Sequence, residues 1–157
     1  MEGRFSLLNK AGQVITERTY QGKWTLIYFG YATCPEICST VMQKVAQAMQ
    51  ELGPTAEQLQ PLFVTLDPLH DTSDRLALYL ANFDKRIIGL RGSDQQIKQA
   101  AQSFRMYVKT RVLDSGESTI DHSSYLFLMR PDGSFGRLLS GDTSGHNLAA
   151  ELRHQLQ

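Results

Sequence analysis

Trp24-Thr25-Leu26-Ile27-Tyr28-Phe29-Gly30, followed at once by Tyr31-Ala32-Thr33-Cys34-Pro35-Glu36-Ile37-Cys38, is the stretch that decides the architecture. Its first half is rich in aromatic and β-branched residues and nearly continuous in hydrophobicity, the pattern of a strand buried on both faces. Pro35 biases Cys34 away from helical geometry, and proline is favoured at the first helical position. The reading therefore places Cys34 as a cap and Pro35 as the opening of a helix. Along that helix Cys38, Val41, Met42, Val45, Met49 and Leu52 recur at three- and four-residue spacing and form an apolar inner face. Gly53-Pro54 ends it.

Outward from this unit the same alternation continues. Phe5-Ser6-Leu7-Leu8 and Val14-Ile15-Thr16 flank Asn9-Lys10-Ala11-Gly12 and predict an N-terminal hairpin. Pro61–Leu66 predicts a second buried strand ending at Asp67-Pro68. Ser73–Phe83 predicts a helix, with Leu76, Leu78, Tyr79, Leu80 and Phe83 as its apolar positions and Thr72 or Ser73 as its cap. Ile87–Leu90 reads as a short strand, Ser93–Phe104 as a helix, and Met106-Tyr107-Val108 as a brief edge strand. Residues 110–121 read as a polar insertion loop containing Asp114-Ser115-Gly116-Glu117. Ser124–Met129 and Phe135–Leu139 then form a hairpin around Pro131-Asp132-Gly133, and Asn147–Leu156 closes the chain as a helix. Strands separated by crossover helices imply an α/β fold, a central mixed sheet flanked by helices, preceded by the hairpin. With a cysteine motif at the first strand–helix junction, the arrangement is thioredoxin-like.

A chain of 157 residues predicts one domain spanning 1–157. Lysine plus arginine and aspartate plus glutamate are 16 each, so the net charge is zero and nothing favours nucleic acid or a polybasic membrane contact. No stretch is long enough to span a bilayer, and no apolar run after Met1 reads as a signal peptide. The chain is either cytosolic, or its export or anchor segment lies outside these residues.

Cys34 and Cys38 are the only cysteines. At i and i+4 on a helix their sulfurs can share one soft metal ion or one disulfide. A helix N-terminus favours thiolate at Cys34, but Glu36 opposes it and no lysine or arginine lies between Lys23 and Lys44. A metal deprotonates thiols itself, so metal binding needs that cationic setting less. The spacing is one residue longer than the Cys-x-x-Cys of thioredoxin-type redox enzymes, and no four-cysteine zinc pattern exists. His122, in Asp121-His122-Ser123-Ser124, is either a surface residue or a third ligand, since imidazole joins two thiolates around copper; Asp121 is placed to orient its ring. Asp67-Pro68-Leu69-His70-Asp71-Thr72 follows a buried strand on the edge where α/β proteins place ligands. There Asp67 can tune the site, Asp71 or Thr72 caps the next helix, and His70 is either an extra ligand or a solvent-exposed residue. Met42 suits copper(I) chemically but sits in the core stripe, and His146 and His154 read as surface residues near or on the last helix.

In order and interval, Gly22-Lys23-Trp24, Tyr28-Phe29-Gly30-Tyr31, Cys34-Pro35-Glu36-Ile37-Cys38, Thr65-Leu66-Asp67-Pro68 through Asp71-Thr72, Asp121-His122-Ser123 and Asp132-Gly133 resemble the Sco/SenC family, the copper-binding thioredoxin-fold assembly factors of cytochrome c oxidase. The resemblance runs from Phe5 to about Leu152. It implies that Cys34, Cys38 and His122 bind one copper ion and that Asp67 and Asp71 help to shape the site. It also implies delivery of copper to, or thiol reduction of, the dinuclear copper site of oxidase subunit II, with another copper chaperone or a thioredoxin-like reductase as further partners. Members are usually tethered by an N-terminal helix on the periplasmic or intermembrane-space side, so that helix is expected to lie outside the sequence in hand. Ser39 stands where members commonly carry proline, Thr33 where histidine or phenylalanine is common, and His70 at a usually charged or polar position.

The lead expectation is thus a copper metallochaperone without classical turnover. The alternative is a thiol–disulfide reductase with Cys34 attacking and Cys38 resolving, or a redox or copper sensor that uses the same residues. A thiol peroxidase is disfavoured, because Tyr31 occupies the position of its characteristic threonine.

Overall fold

The computed structural model describes residues 2–32, 37–106, 108–112, 118–122 and 125–156, and of residues 37, 38, 108–112 and 118–122 it describes the backbone alone. Strands β1 (Ser6–Leu8) and β2 (Val14–Thr16) form an antiparallel hairpin. Strand β3 (Trp24–Gly30) leads to helix α1 (Ile37–Leu52). A short 3-10 helix (Gly53–Gln58) links α1 to β4 (Leu59–Thr65). Helix α2 (Ser73–Leu80), strand β5 (Ile88–Leu90) and helix α3 (Asp94–Ser103) follow. Strands β6 (Val108–Val112), β7 (Ser118–His122), β8 (Tyr125–Met129) and β9 (Phe135–Ser140) precede helix α4 (Gly145–Leu156).

The main sheet has the order β5-β4-β3-β8-β9. β3 is central because it is parallel to β4 on one side and antiparallel to β8 on the other. That position explains its continuous hydrophobicity: from Thr25 to Gly30 every residue is buried. Alternate β3 residues feed two cores. Leu26 and Tyr28 point toward α1, α2 and α4, where Val41, Val45, Met49, Leu76, Leu148 and Leu152 pack. Ile27 and Phe29 point toward the hairpin and α3, where Leu7, Ile15, Ile97 and Phe104 pack. Phe104 lies 5.2 Å from Phe29 and 5.1 Å from Phe127 between ring centroids, both edge-on, and each such pair adds about 1 kcal/mol beyond burial.

The predicted elements form with small shifts of boundary. Gly53, with φ of 56°, takes the left-handed geometry that ends α1. Thr72 caps α2 by accepting the N–H of Arg75, and Ser93 with Gln96 builds a capping box on α3. The cap expected at Cys34 and the helix opening expected at Pro35 lie outside the described residues.

Three readings change. The range expected to be a loop at 110–121 holds strand at 110–112 and 118–121, with 113–117 outside the described residues. β6 and β7 pair antiparallel from Val108↔His122 to Val112↔Ser118 and form a separate two-stranded ribbon. Val108, Thr110 and Val112 alternate with Lys109 and Arg111, a period of two that the polar composition conceals. The brief strand expected at 106–108 is the root of that ribbon. It starts at Val108, Met106 lies outside it, and Tyr107 is beyond the described residues. Leu78 is not an inner residue of α2. Leu76 and Leu80, four apart, face the core, and Leu78, half a turn away, is 73% exposed.

Candidate metal site at the sheet edge

The two parallel strands β3 and β4 end together, with Gly30 opposite Thr65 and the Leu66 N–H donating to the Gly30 carbonyl at 2.7 Å. α1 is described from Ile37, so Cys38 is the second described residue of a helix whose N-terminal end faces this edge. β8 runs antiparallel to β3 with Tyr28 opposite Leu126, which brings the start of β8 to the same edge. β7 ends at His122, three residues before Tyr125. Topology therefore gathers the start of α1, the end of β7 and the β4–α2 loop at one end of the sheet, where open α/β folds bind ligands. Cys34 lies outside the described residues, in the short segment between Ala32 and Ile37, and so do the side chains of Cys38, Asp121 and His122. Among the described residues no group of three His, Cys, Asp or Glu is set to hold a metal.

The β4–α2 loop is the best-defined part of this edge. Asp71 is wholly buried. Its Oδ2 accepts the backbone N–H of Ala32 at 2.8 Å and the hydroxyl of Thr65 at 2.7 Å. Its Oδ1 is buried without a hydrogen-bond partner among the described residues. A buried carboxylate is tolerated only when it is bonded, and here both bonds tie the loop to the neighbouring strand ends. The bond to Ala32 fixes the chain two residues before Cys34. Asp71 thus does not cap α2, because Thr72 performs that task.

Arg91, just past β5, holds the loop from its other side. Its Nε donates to the Asp71 carbonyl at 2.6 Å and its Nη2 to the Pro68 carbonyl at 2.8 Å. Sequence reasoning had not singled out Arg91; its partners are 20 and 23 positions away along the chain and no local pattern announces them. Asp67 accepts the Nδ1–H of His70 at 2.8 Å, and the His70 side chain is 63% exposed. Leu69 beside it is 82% exposed. Met42 is buried in the α1 core stripe. His146 and His154 both lie on α4 and are exposed. Nδ1 of His146 bonds Oε1 of Glu51 at 2.8 Å, and that bond holds the Glu51 carboxyl below its ordinary range.

Tyr79 on α2 reaches the same edge from the helical layer. Its hydroxyl lies 3.3 Å from Oγ of Ser39, in the first turn of α1. Its ring stacks edge-to-face or tilted on Phe83 and Phe63. The hydroxyl at Ser39, where proline would supply none, thus links α1 to α2 one residue beyond Cys38.

A central mixed sheet with helices on both faces is a thioredoxin-like α/β fold. The profile of the SCO1/SenC family matches residues 1–157. The chain belongs to the SCO1/SenC family. It is 35% identical over 159 residues to the mitochondrial SCO2 homolog of Danio rerio, covering 99% of this chain and 57% of that protein. With the mitochondrial SCO2 homolog of Homo sapiens it is 33% identical over 158 residues, covering 99% of this chain and 59% of that protein. The chain therefore spans less than two thirds of the length of these relatives. Among solved structures, Arabidopsis thaliana ScoI with copper bound superposes with a TM-score of 0.91 at 31% identity, covering 99% of this chain and 97% of that one. Bradyrhizobium japonicum ScoI with copper bound gives 0.88 at 31% identity, with 98% of each chain covered. Among the described residues no helix is long and apolar enough to cross a membrane.

Proposed function

We propose that this protein is a copper carrier that takes up one copper ion through Cys34, Cys38 and His122 and hands it to the dinuclear copper site of cytochrome c oxidase subunit II. The observation that supports this most is topological: α1 with Cys38 in its first turn and β7 with His122 at its last position meet at one end of the sheet. Two thiolates and an imidazole are a donor set that suits copper(I) in a three-coordinate site, and copper(II) where oxygen completes a tetragonal one. Copper is bound in two ScoI structures that share this fold over nearly their whole length. The residue types suit that cargo.

In this reading the division of labour is as follows. Cys38 stands at the start of α1, and a helix N-terminus favours thiolate. The β6–β7 ribbon carries His122 to the edge on a strand rather than on a free loop. Asp71 fixes the approach to Cys34 through Ala32. An open edge position lets a partner's ligands replace these one at a time, which a carrier requires and a closed structural site prevents. The site of action is proposed as the periplasmic or intermembrane-space face of an inner membrane, as the mitochondrial relatives suggest.

The test is copper titration of the reduced protein, followed by thiolate-to-copper(II) charge-transfer absorption. Parent protein is expected to bind one equivalent, and Cys34→Ser, Cys38→Ser and His122→Ala each to weaken binding by at least about a hundredfold. Binding that survives all three substitutions would sink the proposal. Loss of thiol–disulfide exchange in the cysteine variants, with His122→Ala unaffected in both exchange and copper binding, would instead assign a reductase.

A further inference from the structure

We propose that His70 is a further copper ligand of this chain, outside the Cys34, Cys38 and His122 set: a docking group that receives the ion through Nε2 and passes it to the cysteine pair, with Asp67 as its positioning residue. The proposal rests on the copper-carrying reading above.

The ring is already arranged as a ligand. The Asp67 carboxylate only accepts, so the 2.8 Å contact requires the proton on Nδ1. In the neutral imidazole that leaves the lone pair on Nε2, at the end of the ring away from Asp67. Metal-binding histidines have this form: one nitrogen donates to a carboxylate, which fixes the tautomer and raises the basicity of the other. Asp67 is itself mostly buried, its side chain 19% exposed, whereas that of His70 is 63% exposed. The orienting group is thus held in the fold and the ligating end faces solvent.

The backbone that carries the ring is held on both sides. Asp67 N–H donates to Thr65 Oγ1 at 3.0 Å, and Asp71 N–H to the Asp67 carbonyl at 2.9 Å. Thr72 N–H donates to the His70 carbonyl at 3.1 Å. Arg91 holds the carbonyls of Pro68 and Asp71. A ligand on such a loop loses little conformational freedom on binding. The same loop is joined to the chain entering Cys34 by the bond from Ala32 to Asp71. An exposed surface pair has no need of this much backbone support, and exposed ion pairs contribute little to stability. Ligand exchange from His70 to the cysteines forms one copper–ligand bond as another breaks. The thiol protons pass to solvent, and the oxidation state of the metal does not change.

The experiment compares parent, His70→Gln and Asp67→Asn for copper(II) uptake from its citrate complex, which has oxygen donors only, by stopped-flow absorption, with rapid-freeze EPR of the earliest species. Thermal unfolding is used to establish that the variants are folded. His70→Gln is expected to slow uptake on the order of tenfold while leaving final affinity nearly unchanged. Asp67→Asn should slow it less. The early EPR signal should carry a nitrogen coupling that disappears in His70→Gln and persists in His122→Ala. Equal rates and equal early spectra for parent and His70→Gln would overturn the proposal and leave His70 as the surface partner of Asp67. A parent protein that binds no copper would instead overturn the carrier reading itself.

Discussion

Two loops of similar length on this molecule are built in opposite ways. The β1–β2 turn organises itself. Oδ1 of Asn9 accepts the N–H groups of Ala11 and Gln13 at 3.0 and 2.9 Å, its Nδ2 bonds the Gln13 side chain, and Gly12 takes φ of 81°. The β4–α2 loop, by contrast, is organised largely by residues far away in the chain: Ala32 and Arg91 reach it across 39, 20 and 23 positions. The first conformation is a local property of its own residues. The second exists only once the sheet has formed. A loop fixed from outside can carry groups in set positions beside a site, because its geometry is inherited from the core. A self-contained turn only reverses the chain.

The contrast is broken most severely at Asp71. Asp71→Ala removes both accepted bonds and leaves the Ala32 N–H and the Thr65 hydroxyl without this acceptor inside the protein. A loss of about 3 kcal/mol is expected, which lowers the melting temperature by roughly 10 °C in a chain of this size. Asp71→Asn keeps an accepting oxygen for the same two donors and removes a buried charge, so its cost should be about 1 kcal/mol. Urea unfolding monitored by the fluorescence of Trp24 measures both. Equal losses for the two variants would mean that the charge, and not the bonding, holds this edge together.

Arg91→Ala attacks the same loop from its other side. It removes two charge-assisted bonds to backbone carbonyls but buries no unpaired charge, and it should cost about 2 kcal/mol. Hydrogen exchange is the sharper measurement. The amides of Asp71 and Thr72 should lose protection while those of β3 and β4 keep it. If protection fell throughout the sheet, the loop would be part of the global unit and not a piece held by it.

The same division governs what could be read from the sequence. Strand β3 was legible to the residue, since a central strand must be apolar on both faces and Trp24–Gly30 is. Thr72 and Ser93 were legible as caps because capping is a matter of a few neighbouring positions. The β6–β7 ribbon was hidden because it pairs outside the main sheet and its composition is polar. Leu78 was misplaced because an apolar residue type says nothing of the face it occupies until its neighbours at i±4 are weighed. At the site, the cysteine spacing and the histidine were visible as residues. The tie from Asp71 to Ala32 and the clamp of Arg91 were not, since each joins positions whose proximity only the sheet order creates. Asp71 itself looked like a second candidate for a cap, and the signal against that was that Thr72, next to it, already sufficed.

The smallest expected effect is at the self-contained turn. Asn9→Ala removes the two bonds that Asn9 Oδ1 accepts, but both donors are exposed and water replaces the lost acceptor. The backbone bonds remain, with Asn9 N–H on the Gln13 carbonyl at 3.1 Å and Gly12 N–H on the Asn9 carbonyl at 3.0 Å. The cost should therefore be about 0.5 kcal/mol, visible as a shift in urea midpoint with an unchanged slope. Copper uptake should not respond, because the turn shares no hydrogen bond with the β4–α2 loop among the described residues. A backbone route between them is the bridge from Leu8 to Arg91, whose two bonds of 2.7 and 2.9 Å join β1 to the residue that clamps that loop. If Asn9→Ala did slow copper uptake, that bridge would be the path, and the two loops would be one mechanical unit.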